Sequence, residues 1–143
     1  MFIGEYLHNL DDKKRLSIPS KFRAKIGKKA VITRGLDGCL VLYPAVEWQK
    51  LAEKLGSLPT SQLDARGFAR LMLSGAMEVD FDSLGRILIP DYLKDYAELK
   101  KSAKVVGLFN RIEVWDEEKW EKYKKKIETS AGDIAENLKE LGI

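Results

Sequence analysis

Hydrophobic and polar positions change period several times along the chain, and each change marks an element. Phe2 to Leu7 carries β-favouring residues and reads as a strand, followed by the polar turn chemistry of Asn9 to Lys14. Leu16-Ser17-Ile18 is apolar-polar-apolar, a short strand stopped by Pro19, which cannot donate to a ladder. Pro19 and Ser20 suit a helix start, with Phe22 and Ile26 at helical spacing and Gly27 as terminator. Ala30–Thr33 and Cys39–Tyr43 read as strands around a glycine-bearing hairpin turn, Gly35-Leu36-Asp37-Gly38. Val46, Trp48, Leu51, Ala52 and Leu55 then fit an amphipathic helix ending at Gly56. After the break Leu58-Pro59-Thr60-Ser61, where Thr60 or Ser61 can cap, residues 62–73 read as a second helix despite Gly67.

The order then repeats: strand 76–81, turn 82–85, strand 86–89, short helix from Pro90, strands 104–109 and 111–115, helix 116–128. The last segment, with Ile134, Leu138 and Leu141, is an amphipathic tail. Behind the repetition lies a doubled motif. Asp11-Asp12-Lys13-Lys14-Arg15-Leu16-Ser17-Ile18-Pro19 returns 71 residues later as Asp82-Ser83-Leu84-Gly85-Arg86-Ile87-Leu88-Ile89-Pro90. Leu40, Leu42, Tyr43 and Trp48 are answered by Ile112, Val114, Trp115 and Trp120. A fixed-period echo over this length argues for two copies of one structural unit. Phe109-Asn110-Arg111 replaces the glycine-rich turn, so the second hairpin is expected to be tighter or differently shaped. About forty residues of short strands cannot sustain a core alone. The expected fold is therefore α+β, mainly β: a pseudo-symmetric β-barrel with helices outside. Its expected units are residues 1–56, a linking helix in 57–75, residues 76–128, and a tail over 129–143.

Composition changes this picture little until charge is mapped. The 143 residues carry a net charge of +3, but residues 1–35 hold nine Lys/Arg against three acids, leaving the remainder net negative. That asymmetry around the first motif suggests an anionic partner. No apolar run is long enough to span a bilayer, no secretory signal pattern opens the chain, and Cys39 stands alone. A cytoplasmic protein with a buried, unreactive thiol is expected.

The chemistry of the motif centres on arginine. A planar guanidinium can bond two acceptors on a guanine edge or clamp a phosphate, provided it is held in place. Asp11 and Asp82, four residues before Arg15 and Arg86, can accept from the guanidinium or from the turn amides, and are assigned an orienting role. From the residues alone, surface ion pairs worth about 0–1 kcal/mol explain these pairs equally well. Lys13, Lys14, Lys21 and Arg23 are candidates for phosphate contacts. The first motif is the more basic, so the first copy is expected to face the anion and the second to serve mainly structure and assembly. Arg66 and Arg70 read as exposed or inter-subunit positions, and Trp48, Trp115 and Trp120 as packing anchors.

The paired Asp-x-x-x-Arg-hydrophobic-x-Ile-Pro blocks resemble the swapped-hairpin DNA-binding domains of the AbrB/SpoVT type. Two copies joined by the helix containing Arg66, Arg70 and Ser74-Gly75-Ala76 resemble the MraZ family. So do the opening Met1-Phe2-Ile3-Gly4-Glu5-Tyr6 and the block Phe109-Asn110-Arg111-Ile112-Glu113-Val114-Trp115; the resemblance covers residues 1 to about 128. It implies a nucleoid-associated transcriptional regulator that binds double-stranded DNA at short direct repeats, in the promoter of the division and cell-wall gene cluster. It also implies a homo-oligomeric ring, with Asp11, Arg15, Asp82 and Arg86 contributing to the DNA surface. One departure stands out: the family's Gly before the Arg is present as Gly85 but replaced by Lys14 in the first copy. If that position is left-handed, Lys costs roughly 1–2 kcal/mol that Gly does not.

Other classes fit less well. His8 is the only histidine, and no phosphate loop, dinucleotide fingerprint or Cys/His cluster is present, so no catalysis, metal, cofactor or small-molecule substrate is expected. An antitoxin-type interaction module on the same barrel would carry one copy and a disordered wrapping tail, whereas this tail keeps helical periodicity.

Overall fold

Three of the strands run into a proline, and each of these prolines opens a helix. In the computed structural model, which describes residues 1–143, Phe2–Asn9 (β1) is followed by Arg15–Ser17 (β2) and the helix Ser20–Ile26 (α1). Lys29–Arg34 (β3) and Leu40–Pro44 (β4) lead into Ala45–Gly56 (α2), and Leu63–Ser74 (α3) links the halves. The second half repeats the order: Met77–Asp80 (β5), Arg86–Leu88 (β6), Asp91–Tyr96 (α4), Ser102–Phe109 (β7), Arg111–Asp116 (β8) and Glu117–Thr129 (α5). Ala131–Asn137 (α6) and a last 3₁₀ turn close the chain. Pro19, Pro44 and Pro90 occupy the N-cap positions of α1, α2 and α4. Their fixed φ and missing N–H end a ladder without leaving an orphan donor. Asp116 caps α5 instead, accepting from the Lys119 amide at 3.3 Å. The expected Thr60 or Ser61 cap is not used: Gln62 precedes α3 and makes no side-chain cap bond.

Six strands form one antiparallel sheet in the order β1-β7-β8-β4-β3-β5, and β2 pairs with β6 in a separate two-stranded ribbon. The order reads as a palindrome of the two repeats about the central β8–β4 pair. Each repeat lends its first strand to the other: β1 lies along β7 from Phe2↔Phe109 to Asn9↔Ser102, and β5 lies along β3. The expected closed barrel does not form. Edges β1 and β5 do not pair with each other, and Leu10, just past the end of β1, makes a single isolated bridge to Leu16 of the ribbon. The tight turns before β2 and β6, with Pro19 and Pro90 soon after them, leave each strand three residues. That suffices to pair the two with one another but not to continue the large sheet.

One apolar core fills the space between ribbon, sheet and short helices. Leu16 and Ile87, directly opposed in the ribbon, are fully buried, as are Ile89, Leu93, Ile32, Leu42 and Ile112. Phe22 of α1 meets the rings of Phe2 and Tyr6 edge-on, at centroid distances of 5.5 and 5.3 Å. A smaller cluster lies on the other side of the sheet, where Trp115 packs with Trp120 and Tyr123 at 5.4 and 5.0 Å. Trp48 leans on Tyr43 at 5.8 Å, so all three tryptophans are packing anchors. Cys39 is buried beside Trp115, and burial pushes its thiol well above the usual range. The second hairpin is the tighter one: Leu108 pairs with Arg111, and the Asn110 amide donates to Leu108 across Phe109, whose φ is +62°. Gly107 has a packing reason, since a Cβ there would sit 2.5 Å from the Ile3 amide of the exchanged strand. No helix is long and apolar enough to cross a membrane.

Because the ribbon buries residues from both repeats, truncating it should loosen the whole molecule. Ile87→Ala is expected to lower stability by about 2–5 kcal/mol while keeping a single cooperative transition, measured by denaturant unfolding. Two separate transitions would show that the halves are independent.

Candidate nucleic-acid interface

The two motifs fold into the same turn, bond for bond. Asp11 Oδ1 accepts from the amides of Lys13 and Arg15, both at 2.9 Å, while Oδ2 accepts from Arg15 Nε at 2.7 Å. Asp82 does the same with Leu84, Arg86 and Arg86 Nε at 2.9, 2.9 and 2.7 Å. Backbone bonds from Lys14 to Asp11 and from Gly85 to Asp82, both 3.0 Å, close the loops. One carboxylate thus folds the turn with one oxygen and holds the guanidinium with the other. The arginine backbone amide, and after it the guanidinium, hold both carboxyls below the usual Asp range. Because each arginine is gripped through Nε, its two terminal nitrogens remain to meet a ligand edge.

The fourth turn position is left-handed in both copies, with φ +61° at Lys14 and +76° at Gly85. The conformation serves the ribbon: the Lys14 carbonyl accepts from the Ile89 amide at 2.8 Å, and the Gly85 carbonyl from Ile18 at 3.2 Å. The two residues then differ in what covers the turn. Lys14 turns its ammonium to Asp91, the first residue of α4. Gly85 leaves a gap that Arg23 of α1 fills, so closely that a Cβ at residue 85 would fall 2.0 Å from Arg23 Nη1. The Nε of Arg23 is buried there without a hydrogen-bond partner. Of the four expected phosphate ligands, Lys13 and Lys21 are exposed, while Lys14 and Arg23 are engaged within the fold. Lys21 stands 6.0 Å from the centre of the Tyr6 ring.

Ribbon register decides which side chains share a face. Arg15 opposes Leu88, Leu16 opposes Ile87, and Ser17 opposes Arg86. With Leu16 and Ile87 turned into the core, Arg15, Ser17, Arg86 and Leu88 share the outward face. Asp11 Oδ2, already bonded to Arg15, lies 3.7 Å from Arg86 Nη1, so a single carboxylate neighbours both guanidinium groups. Their side chains are 34% and 24% exposed, held rather than free to sweep solvent. Position therefore does not separate a reading copy from a structural one. Arg66 and Arg70 are not part of this face; Arg66 donates to the Thr60 carbonyl at 3.0 Å and Arg70 is exposed on α3.

The family model described as "MraZ protein, putative antitoxin-like" matches residues 1–71 and again residues 72–141. The chain is 51% identical over all 143 residues to the "Transcriptional regulator MraZ" of Halothermothrix orenii, covering the whole of both chains. It is 48% identical over 143 residues to the protein of that name from Pediococcus pentosaceus, again covering the whole of both. It is 45% identical over 141 residues to that from Desulforamulus reducens, covering 99% of each. The chain belongs to the MraZ family.

The doubled MraZ match coincides with the echo read from the motif, and the two copies it marks are those that exchange first strands. Sequence reasoning missed Ser17 and Leu88 as members of the outward MraZ face. The alternation Arg15-Leu16-Ser17 and Arg86-Ile87-Leu88 carried that signal, because period two places i and i+2 together.

Two outcomes follow from the turn. Lys14→Gly is expected to raise stability by about 1 kcal/mol by relieving a left-handed Lys, measured by denaturant unfolding, whereas Gly85→Ala is expected to lower it. The carboxyls titrate lower in the fold than in the unfolded chain. Their contribution is therefore fully present above the ordinary Asp value, roughly 3.9, and is lost as pH falls through the depressed folded values. In an acid titration followed by NMR, the amides of Lys13 and Arg15 should move together below that point, and so should those of Leu84 and Arg86. Independent movement within either pair would disprove shared carboxylate control.

Proposed function

We propose that this chain is a sequence-specific DNA-binding transcriptional regulator whose reading element is the outward face of the β2–β6 ribbon. The observation that carries the reading is the pair of arginines, each held through Nε by a carboxylate, side by side on one two-stranded ribbon. A ribbon of this kind fits the major groove, and a pre-set guanidinium can take the O6 and N7 of guanine together. Asp11 and Asp82 orient, Arg15 and Arg86 read, and Lys13 and Lys21 neutralise phosphates. Lys14 and Arg23, engaged within the fold, add positive potential from behind the turns.

The relatives' printed name supports regulation of transcription. The target we propose is the set of short direct repeats in the promoter of the division and cell-wall gene cluster, reached in the cytoplasm at the nucleoid. Each ribbon offers a small contact patch, so a ring of copies meeting repeated boxes would multiply affinity through effective concentration. The exchanged first strands support reading the frame as an opened form of the swapped-hairpin barrel. Its units are then 1–56, 57–75, 76–128 and the segment 129–143. An antitoxin-type module would need a tail free to wrap a partner, and here the residues after β8 form α5 and α6.

Fluorescence anisotropy with promoter DNA, against scrambled DNA at several salt concentrations, tests this reading. Arg15→Ala and Arg86→Ala should each weaken specific binding roughly 10- to 100-fold, with assembly unchanged by light scattering. Lys13→Ala should weaken binding to all sequences alike and flatten the salt dependence. Undiminished affinity in Arg15→Ala would refute the proposal.

A further inference from the structure

The frame of the ribbon is two-fold, but its outward face is not. Ser17 and Leu88 occupy equivalent places in the two repeats, as do Lys13 and Leu84. Beside Arg86 the face therefore presents a hydroxyl, and beside Arg15 an isobutyl group. Leu88 is 59% exposed, although Leu16 and Ile87 on the other side of the same ribbon are completely buried. Nothing in the fold uses it. It lies in a three-residue strand whose register is set by pairing with β2 and by the Ile89–Lys14 bond, so its position beside Arg15 is rigid.

Resting on the DNA reading above, we infer that Leu88 is a specificity-determining residue that recognises the 5-methyl group of a thymine next to the guanine taken by Arg15. Opposed side chains in an antiparallel pair stand about 5 Å apart, roughly one and a half base-pair steps of about 3.4 Å. A guanidinium on one base edge thus puts its cross-strand neighbour over an adjoining pair. In the major groove the only apolar feature of any base edge is the thymine methyl, and an aliphatic side chain is its natural contact. A charged or polar residue at residue 88 would gain phosphate or acceptor contacts; leucine gains only from a methyl. The asymmetry has a second effect. With Ser17 by Arg86 and Leu88 by Arg15, the two ends of the ribbon meet different chemistry, so the protein sits on a box in one orientation.

The test begins with duplexes enriched from a random pool by the wild-type protein. Each thymine of the enriched sequence is then replaced in turn by deoxyuridine, which removes only the methyl. One position is expected to weaken wild-type binding about fourfold, the factor for one buried methyl-sized group. Leu88→Ala should lose a similar factor on the thymine duplex and no longer distinguish thymine from deoxyuridine at that position, while Arg15→Ala loses binding on both. If Leu88→Ala keeps the wild-type thymine preference, or no thymine is sensitive, the inference fails while DNA recognition stands. If Leu88→Ala instead changes the assembly state by light scattering with base preference intact, Leu88 belongs to a contact between copies and the inference fails. A pool that yields no enriched sequence would overturn the DNA reading itself, and this inference with it.

Discussion

Exchange of the first strand between repeats is the constraint from which the remaining structure follows. With β1 hydrogen-bonded to β7 and β5 to β3, neither half has a complete sheet of its own. The exchange also carries the chain across the molecule twice, and on each crossing it must turn back into β2 or β6. Those two turns consequently arrive next to each other, and their strands find one another as partners. The ribbon is thus a by-product of interlocking. Its rigidity comes from fully buried side chains beneath it and from carboxylates above. An arginine on a free hairpin would lose rotamer entropy on meeting a ligand; here much of that ordering is already present in the fold.

Much of this was legible in the chain before any coordinates. The offset of the Asp-x-x-x-Arg blocks announces a two-fold frame, and the prolines after them mark where ladders stop. The orienting role of Asp11 and Asp82 also follows from local chemistry, since an Asp can reach amides two and four residues ahead without help from the rest of the protein. What could not be read were relations set by tertiary structure. Whether β1 pairs with β3 or β7 is decided by strands about a hundred residues away, and both choices satisfy the same hydrophobic pattern. A barrel was expected because neither short unit can sustain a core alone, and a barrel lets the two bury their apolar faces together through continuous pairing. Strands of three residues cannot supply it.

The fate of Lys14 and Arg23 illustrates the same limit. Both are basic residues near a basic motif, and composition alone makes them phosphate ligands. The fold instead directs Lys14 to Asp91 and lays Arg23 across Gly85. No local signal distinguishes them from Lys13 or Lys21, which stay exposed, because the difference depends on which part of the other repeat lies opposite, α4 for Lys14 and the Gly85 turn for Arg23. Leu88, by contrast, lies on the far side of the ribbon from the buried Ile87, as the period-two alternation of its strand requires.

Gly85 and Arg23 are 62 residues apart in sequence yet share one volume, the space a Cβ would need being occupied by a guanidinium. In the first repeat the equivalent turn carries a long side chain of its own and needs no such filler. The two loops are therefore not interchangeable parts, despite identical backbone bonding. The frames match, but a side chain at residue 85 would have to displace the one at residue 23. In this molecule the fourth residue of one loop reaches out to a helix of the opposite half, while that of the other makes room for one.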